Sequence, residues 1–163
     1  MGRPPGLQLT GLEDSHRPAL DALLRATAVF SESEIAVALE LVDDDDPDYQ
    51  FVVALVDGAV AGYACYGPTP GTDRGYDLYW IAVHPDAQGA GIGSALLADI
   101  ESRVAGDTAR MLMIETSSRR VYEPTRGFYI RHGYAEAARV RSFYAPGDDR
   151  IVYTKRLQAG PRS

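Results

Sequence analysis

Three stretches of the chain carry residue types in spacings that can do chemistry. The first, Leu78 to Leu97, reads Leu-Tyr-Trp-Ile-Ala-Val-His-Pro-Asp-Ala-Gln-Gly-Ala-Gly-Ile-Gly-Ser-Ala-Leu-Leu. Leu78–Val83 has the composition and length of a strand. His84-Pro85-Asp86 breaks it, because proline cannot continue a central ladder and restrains the residue before it. Gly89, Gly91 and Gly93 follow, and a helical pattern begins at Ser94-Ala95-Leu96-Leu97. A strand, a glycine loop and a helix start aim several free backbone N–H groups at one spot, with the helix dipole behind them. Such a place binds anions, and phosphate is its usual occupant. The second stretch ends on Glu115, after Met111-Leu112-Met113-Ile114, which reads as a strand buried on both faces. A carboxylate there is costly unless paired or used, and desolvation would raise its pKa toward that of a working base. The alternative is a strand-end glutamate bonded to Arg119, Arg120 or Arg126. The third stretch, Thr125 to Tyr134, contains Tyr129 beside Phe128. A phenol with an ordinary pKa of about 10 keeps its proton at pH 7 and suits an acid; the alternative is a packing aromatic.

The glycine spacing discriminates among phosphate loops. A mononucleotide P-loop ends in Gly-Lys-Ser/Thr, whereas this chain has Ile92-Gly93-Ser94 with no lysine near. A dinucleotide fingerprint spaces its glycines two and three apart, and here they fall two and two apart. Gln88-x-x-Gly91-x-Gly93, after a strand ending in Val-x-Pro, resembles the pyrophosphate loop of the GCN5-related N-acetyltransferases (GNAT). The resemblance implies that Gln88, Gly89, Ala90, Gly91, Ile92, Gly93 and Ser94 hold the diphosphate of acetyl-CoA. It also implies that Ile81, Ala82 and Val83 offer backbone groups to the pantetheine arm. Phe128-Tyr129, followed after a short spacer by Gly133-Tyr134, is similar to the family pattern in which the tyrosine faces the coenzyme sulfur, and so implies Tyr129 as the acid. Leu112-Met113-Ile114-Glu115-Thr116-Ser117 resembles the strand of the ribosomal-protein alanine acetyltransferases, where the glutamate is the base. Two departures stand out: Glu115 and Tyr129 lie two residues further apart than that pattern, and Tyr122 replaces its asparagine at a coenzyme-binding position.

The elements that must position these groups follow from the rest of the chain. At 163 residues, 45% hydrophobic and 24% charged, the sequence suits one soluble domain over residues 7–157, with flexible termini at 1–6 and 158–163. A formal charge of −7 argues against a nucleic-acid partner. No apolar run approaches a membrane span and no signal-peptide core is present, so a cytoplasmic location is expected. Cys65 is the single cysteine and reads as a small core residue. No His/Cys/Asp cluster has metal-ligand spacing, and no metal is expected. His84 and His132 receive no role; Asp77 and Tyr79 share a strand face and could touch substrate.

A strand is expected at Leu7–Thr10. A helix capped at Asp14-Ser15 should run to Thr27, and a second opens with a Ser31-x-x-Glu34 capping box and carries Ile35, Leu39 and Val42. The Asp43–Asp46 run with Pro47 and Asp48 ends it. Strands Tyr49–Val56 and Ala59–Tyr66 flank an Asp57-Gly58 hairpin turn, and a loop covers Gly67–Gly75. A helix to about Val104, a strand at Arg110–Thr116, a helix at Thr125–His132 with Pro124 in its first turn, and strands at Ala137–Tyr144 and Arg150–Leu157 complete the order. That β-α-α-β-β-β-α-β-α-β-β order resembles the mixed α/β GNAT fold: a mostly antiparallel seven-stranded sheet, splayed between its fourth and fifth strands, with about four helices. The resemblance implies an acetyl-CoA-dependent N-acetyltransferase, monomeric or homodimeric, acting on a small-molecule amine, a peptide N-terminus or a lysine. It also places the acidic run near the acceptor mouth, where it could steer a cation. A non-catalytic acyl-CoA-binding module and a dedicated antibiotic or biosynthetic enzyme are the alternatives.

Overall fold

The computed structural model describes residues 3–157. Seven strands are hydrogen-bonded in the order β1-β2-β3-β4-β5-β7-β6. They are β1 (Leu7–Thr10), β2 (Gln50–Val56), β3 (Ala59–Pro68), β4 (Gly75–Val83), β5 (Met111–Ser117), β6 (Ala135–Ala145) and β7 (Asp148–Arg156). The helices are α1 (Arg17–Ala26), α2 (Glu32–Asp43), α3 (Ile92–Gly106) and α4 (Glu123–Arg131). The expected order of strands and helices is found. Contacts divide the chain into two compact units, the first formed within Met1–Gly67 and Tyr79–Ser102, the second within Pro68–Leu78 and Arg103–Ser163.

In the first unit, Ser31 accepts from the Glu34 N–H while the Glu34 carboxylate accepts from the Ser31 N–H, the reciprocal box that starts α2. The start of α1 differs from expectation. Asp14–His16 is a 3-10 turn, with the Glu13 N–H donating to His16 Nδ1, and Pro18 then sits in the first turn of α1. Leu20, Leu23 and Leu24 of α1 and Ile35, Ala38 and Val42 of α2 are buried with Val53, Tyr63 and Ala82, and Leu39, Phe30 and Trp80 pack on this core. The β2–β3 turn holds Asp57 at φ 50° and Gly58 at φ 86°, the left-handed pair that a two-residue hairpin requires. On the other face of β3, a Cβ on Gly62 would lie 2.9 Å from the Ala82 carbonyl and 3.3 Å from Ile92. Glycine there lets α3 and β4 approach closely. Ahead of β1, the Leu7 N–H donates to the Pro4 carbonyl and the Asp57 N–H to the Gly6 carbonyl. The expected tail at 158–163 lies outside the described residues.

In the second unit, β4 and β5 run parallel from Gly75↔Met111 to Leu78↔Ile114, and the ladder goes no further. Strand β5 pairs antiparallel with β7 along its whole length, and β7 with β6. Pro124 lies in the first turn of α4, which is capped by His132 and followed by Gly133 at φ 91°. A 3-10 turn at Arg120–Tyr122, unforeseen from the sequence, precedes α4, and Arg126 fastens it by donating to the Ser117 and Arg119 carbonyls at 2.8 Å.

Candidate active site

The first unit holds the glycine loop. After β4 the chain makes a 3-10 turn over Pro85–Ala87, in which His84 Nδ1 accepts from the Asp86 N–H. That bond makes His84 a turn-former. Gln88 ties the loop back, its N–H donating to Pro85 and its side-chain amide reaching the Val83 carbonyl at 3.4 Å. Gly89 at φ 82° and Gly91 at φ 87° then take left-handed conformations that side chains resist. Helix α3 starts at Ile92, two residues before the expected Ser94. The Ala95 N–H donates to the Gly91 carbonyl at 3.0 Å, so the N–H groups of Ile92 and Gly93 precede the helical ladder. Donors ahead of the ladder, a 15-residue helix behind them and two left-handed glycines form a cradle suited to a diphosphate. Of the strand residues expected to meet pantetheine, Ala82 is buried and Ile81 and Val83 are half-buried.

The second unit holds Glu115, Tyr129 and Tyr122. Strand β5 alternates up to Glu115: Leu112 and Ile114 are buried, Met111 and Met113 are half-buried and Glu115 is exposed, before Thr116 and Ser117 are both buried. The burial expected for Glu115 is therefore not found; its side chain is 38% exposed. Its ion-pair partner is also not one of the three arginines expected. Arg150 of β7 donates to it, a diagonal cross-strand pair, since Glu115 sits opposite Val152 and Ser117 opposite Arg150. Glu115 is also the first β5 residue past the end of the β4–β5 ladder.

Tyr129 is 5% exposed, its ring set against Phe128, Tyr134 and Tyr153 at centroid distances of 5.7, 6.2 and 6.2 Å. Burial pushes its phenol above the ordinary value, which keeps the proton in place. Its hydroxyl bonds to no described residue. Tyr153, which Tyr129 touches, pairs with Ile114. The alternation of β5 therefore puts Glu115 on the opposite face of the sheet from Tyr129. Tyr122 is buried beneath the Arg119 guanidinium, 5.2 Å from its ring centroid.

The remaining candidates have other work. Cys65 is buried, its thiol pushed up to about 12 by desolvation, which makes it inert at neutral pH. Asp77 accepts from Thr69 at 2.8 Å, and His132 Nδ1 donates to the Phe128 carbonyl. Among the described residues no three His, Cys, Asp or Glu side chains could hold a metal ion, and no helix is long and apolar enough to cross a membrane. Arg150 and Phe143, whose ring lies 5.2 Å from the Arg150 guanidinium, were not legible as site residues. The β5–β7 register brings Arg150 to Glu115, and no local spacing signals it.

Comparison with known proteins agrees with this architecture. The model of the acetyltransferase (GNAT) domain matches residues 47–136, more than half of the chain. A crystal structure from Desulfovibrio desulfuricans, assigned as an acetyltransferase of the GNAT family, is 41% identical. It superposes with a TM-score of 0.89 over 93% of this chain and 99% of that one. An uncharacterized N-acetyltransferase of Methanocaldococcus jannaschii is 30% identical over 109 residues, 65% of each protein, so the chain spans just under two thirds of that relative. An aminoglycoside 6′-N-acetyltransferase solved with coenzyme A shares the fold at 18% identity and a TM-score of 0.75, over 96% of this chain and 99% of that one. The chain belongs to the GNAT family of acetyltransferases.

Proposed function

We propose that the protein is an acetyl-CoA-dependent N-acetyltransferase whose residues 7–157 act as one catalytic domain. The observation that carries the reading is the glycine cradle, with Gly89 and Gly91 left-handed and the Ile92 and Gly93 N–H groups ahead of the α3 ladder. Gln88–Ser94 would hold the diphosphate, and Ile81–Val83 would offer backbone partners to the pantetheine arm, with Tyr122 as a further contact. The coenzyme A complex of the aminoglycoside-acetylating fold neighbour supports the choice of co-substrate.

Bound acetyl-CoA supplies a thioester that an amine attacks directly, forming the N–C bond as the C–S bond breaks. Glu115, or a water it orders, takes the proton that the amine nitrogen loses; Arg150 holds that carboxylate in place. Tyr129 donates its proton to the departing thiolate and recovers one from solvent. A backbone N–H of β4 polarises the carbonyl. The acceptor is an amine of a small molecule or peptide, and cytoplasm is the expected compartment. Following coenzyme A release with free amines, amino acids and peptides tests the reading. Turnover with at least one amine supports it, whereas acetyl-CoA binding without any turnover would point to the non-catalytic module.

A further inference from the structure

Arg150 is a less satisfied guanidinium than Arg17, Arg25 or Arg139. Arg17 puts two nitrogens on Asp43, Arg25 two on Asp21 and Glu32, and Arg139 three on Glu136 and Asp149. Arg150 makes a single hydrogen bond, from Nη2 to Glu115 Oε1, and its Nε is buried with no acceptor. Yet this pair is less exposed than the Arg17–Asp43 pair, at 30% and 38% against 42% and 50%. The buried Nε is closed to a ligand, but Nη1 makes no bond to a described residue and remains a charged donor for one. Glu115 has a second carboxylate oxygen that no described residue engages. Phe143 closes one side of the pair. The β6–β7 register breaks between Val140 and Ala145, Ser142 turns left-handed at φ 50°, and the half-exposed Phe143 ring comes under the guanidinium.

We propose that the Glu115–Arg150 pair, flanked by Phe143, recognises a zwitterionic acceptor: the amine of an α-amino acid addresses Glu115 and its carboxylate addresses Arg150. The assignment rests on the acetyltransferase reading and narrows its substrate class. A fixed negative and a fixed positive group side by side match a ligand whose own charges are separated by one carbon. Nη1, beside the Nη2 that serves Glu115, is a charged donor for a carboxylate. The other acceptor classes match less well. A lysine or simple amine leaves Arg150 idle, a peptide N-terminus offers it an uncharged carbonyl, and a polyamine brings it a second cation, which it repels.

The test compares each free amino acid with its own carboxamide, which keeps the side chain and amine and removes the negative charge. Coenzyme A release gives kcat/KM for both, on the wild-type protein and on Arg150→Gln and Arg150→Lys. Charge-assisted bonds to a carboxylate are worth about tenfold or more. The wild type should therefore favour the best amino acid over its amide by at least about tenfold. In Arg150→Gln that ratio should collapse toward one, with Arg150→Lys between the two and the KM for acetyl-CoA little moved. A wild-type ratio near one, or a ratio that survives Arg150→Gln, overturns the assignment and leaves the pair as a strand-to-strand tie. The wild-type ratio decides even if a variant fails to fold. Calorimetry of the wild type with acetyl-CoA separates the two levels: binding without a carboxylate preference removes only this inference, and no binding removes the acetyltransferase reading with it.

Discussion

Replacing Tyr129 with phenylalanine takes away one hydroxyl and leaves the ring in place. The ring is 5% exposed and sits among three aromatic neighbours, so the phenylalanine variant keeps that packing. The hydroxyl bonds to no described residue, so its loss breaks no bond among them, and stability should move by less than about 0.5 kcal/mol. A proton donor to the thiolate is worth about 100- to 10,000-fold in rate, or about 3 to 5 kcal/mol of barrier. Turnover should fall by that much at saturating acetyl-CoA, with its affinity nearly intact. Tyr129→Ala provides the contrast, since emptying the aromatic site should cost about 3 to 5 kcal/mol of stability as well. The two readings separate in paired assays, urea unfolding for the fold and coenzyme A release for the chemistry. A turnover loss below threefold in Tyr129→Phe, or a loss matched by an equal drop in stability, would return Tyr129 to packing alone.

Alkaline pH should weaken the fold. Burial holds the phenols of Tyr63 and Tyr129 above their ordinary 10.0. Between that value and their folded values the native state binds more protons than the unfolded chain, so stability falls as pH rises, by up to about 1.4 kcal/mol per pH unit for each group. Urea midpoints taken upward from pH 9 should show the decline, with a shallower slope in Tyr63→Phe; a flat profile would contradict it. For the acidic run, Asp44 Oδ1 accepts from the Asp46 N–H and Asp46 Oδ1 from the Asp48 N–H, while Asp43 is held by Arg17. Asparagine can accept in the same turns, so the triple change of Asp44, Asp45 and Asp46 to asparagine should preserve the fold. Its kcat/KM should follow the same salt dependence as wild type, and a loss confined to low ionic strength would instead establish electrostatic steering.

The elements that carry their own local signal were legible. The Ser31–Glu34 box, the Asp57-Gly58 turn and the glycine loop each rest on a few adjacent residues whose chemistry allows little else. Boundaries moved where geometry competed with type. Gly93 and Ser94 were tolerated in the first turn of α3, and His16, more than Asp14, organised the entry to α1. The misreading of Glu115 has a physical cause. Met111-Leu112-Met113-Ile114 is uniformly apolar in type, but the flexible methionines occupy the half-covered face while Leu112 and Ile114 fill the core. An alternating strand therefore looked continuous. Arg150 was beyond reach because its meeting with Glu115 spans 35 residues of sequence and depends on a cross-strand register.

The most direct measurement is calorimetric titration of acetyl-CoA into the wild type and Gly91→Glu, with Gly91→Ala beside them. Both variants place a side chain at φ 87°, so they share the backbone strain, but only glutamate adds bulk and negative charge at the cradle. Circular dichroism should show all three proteins folded. The wild type should bind one acetyl-CoA per chain, Gly91→Ala should bind more weakly, and Gly91→Glu should give no binding heat. Wild-type affinity in Gly91→Glu would show that the glycine loop does not hold the diphosphate.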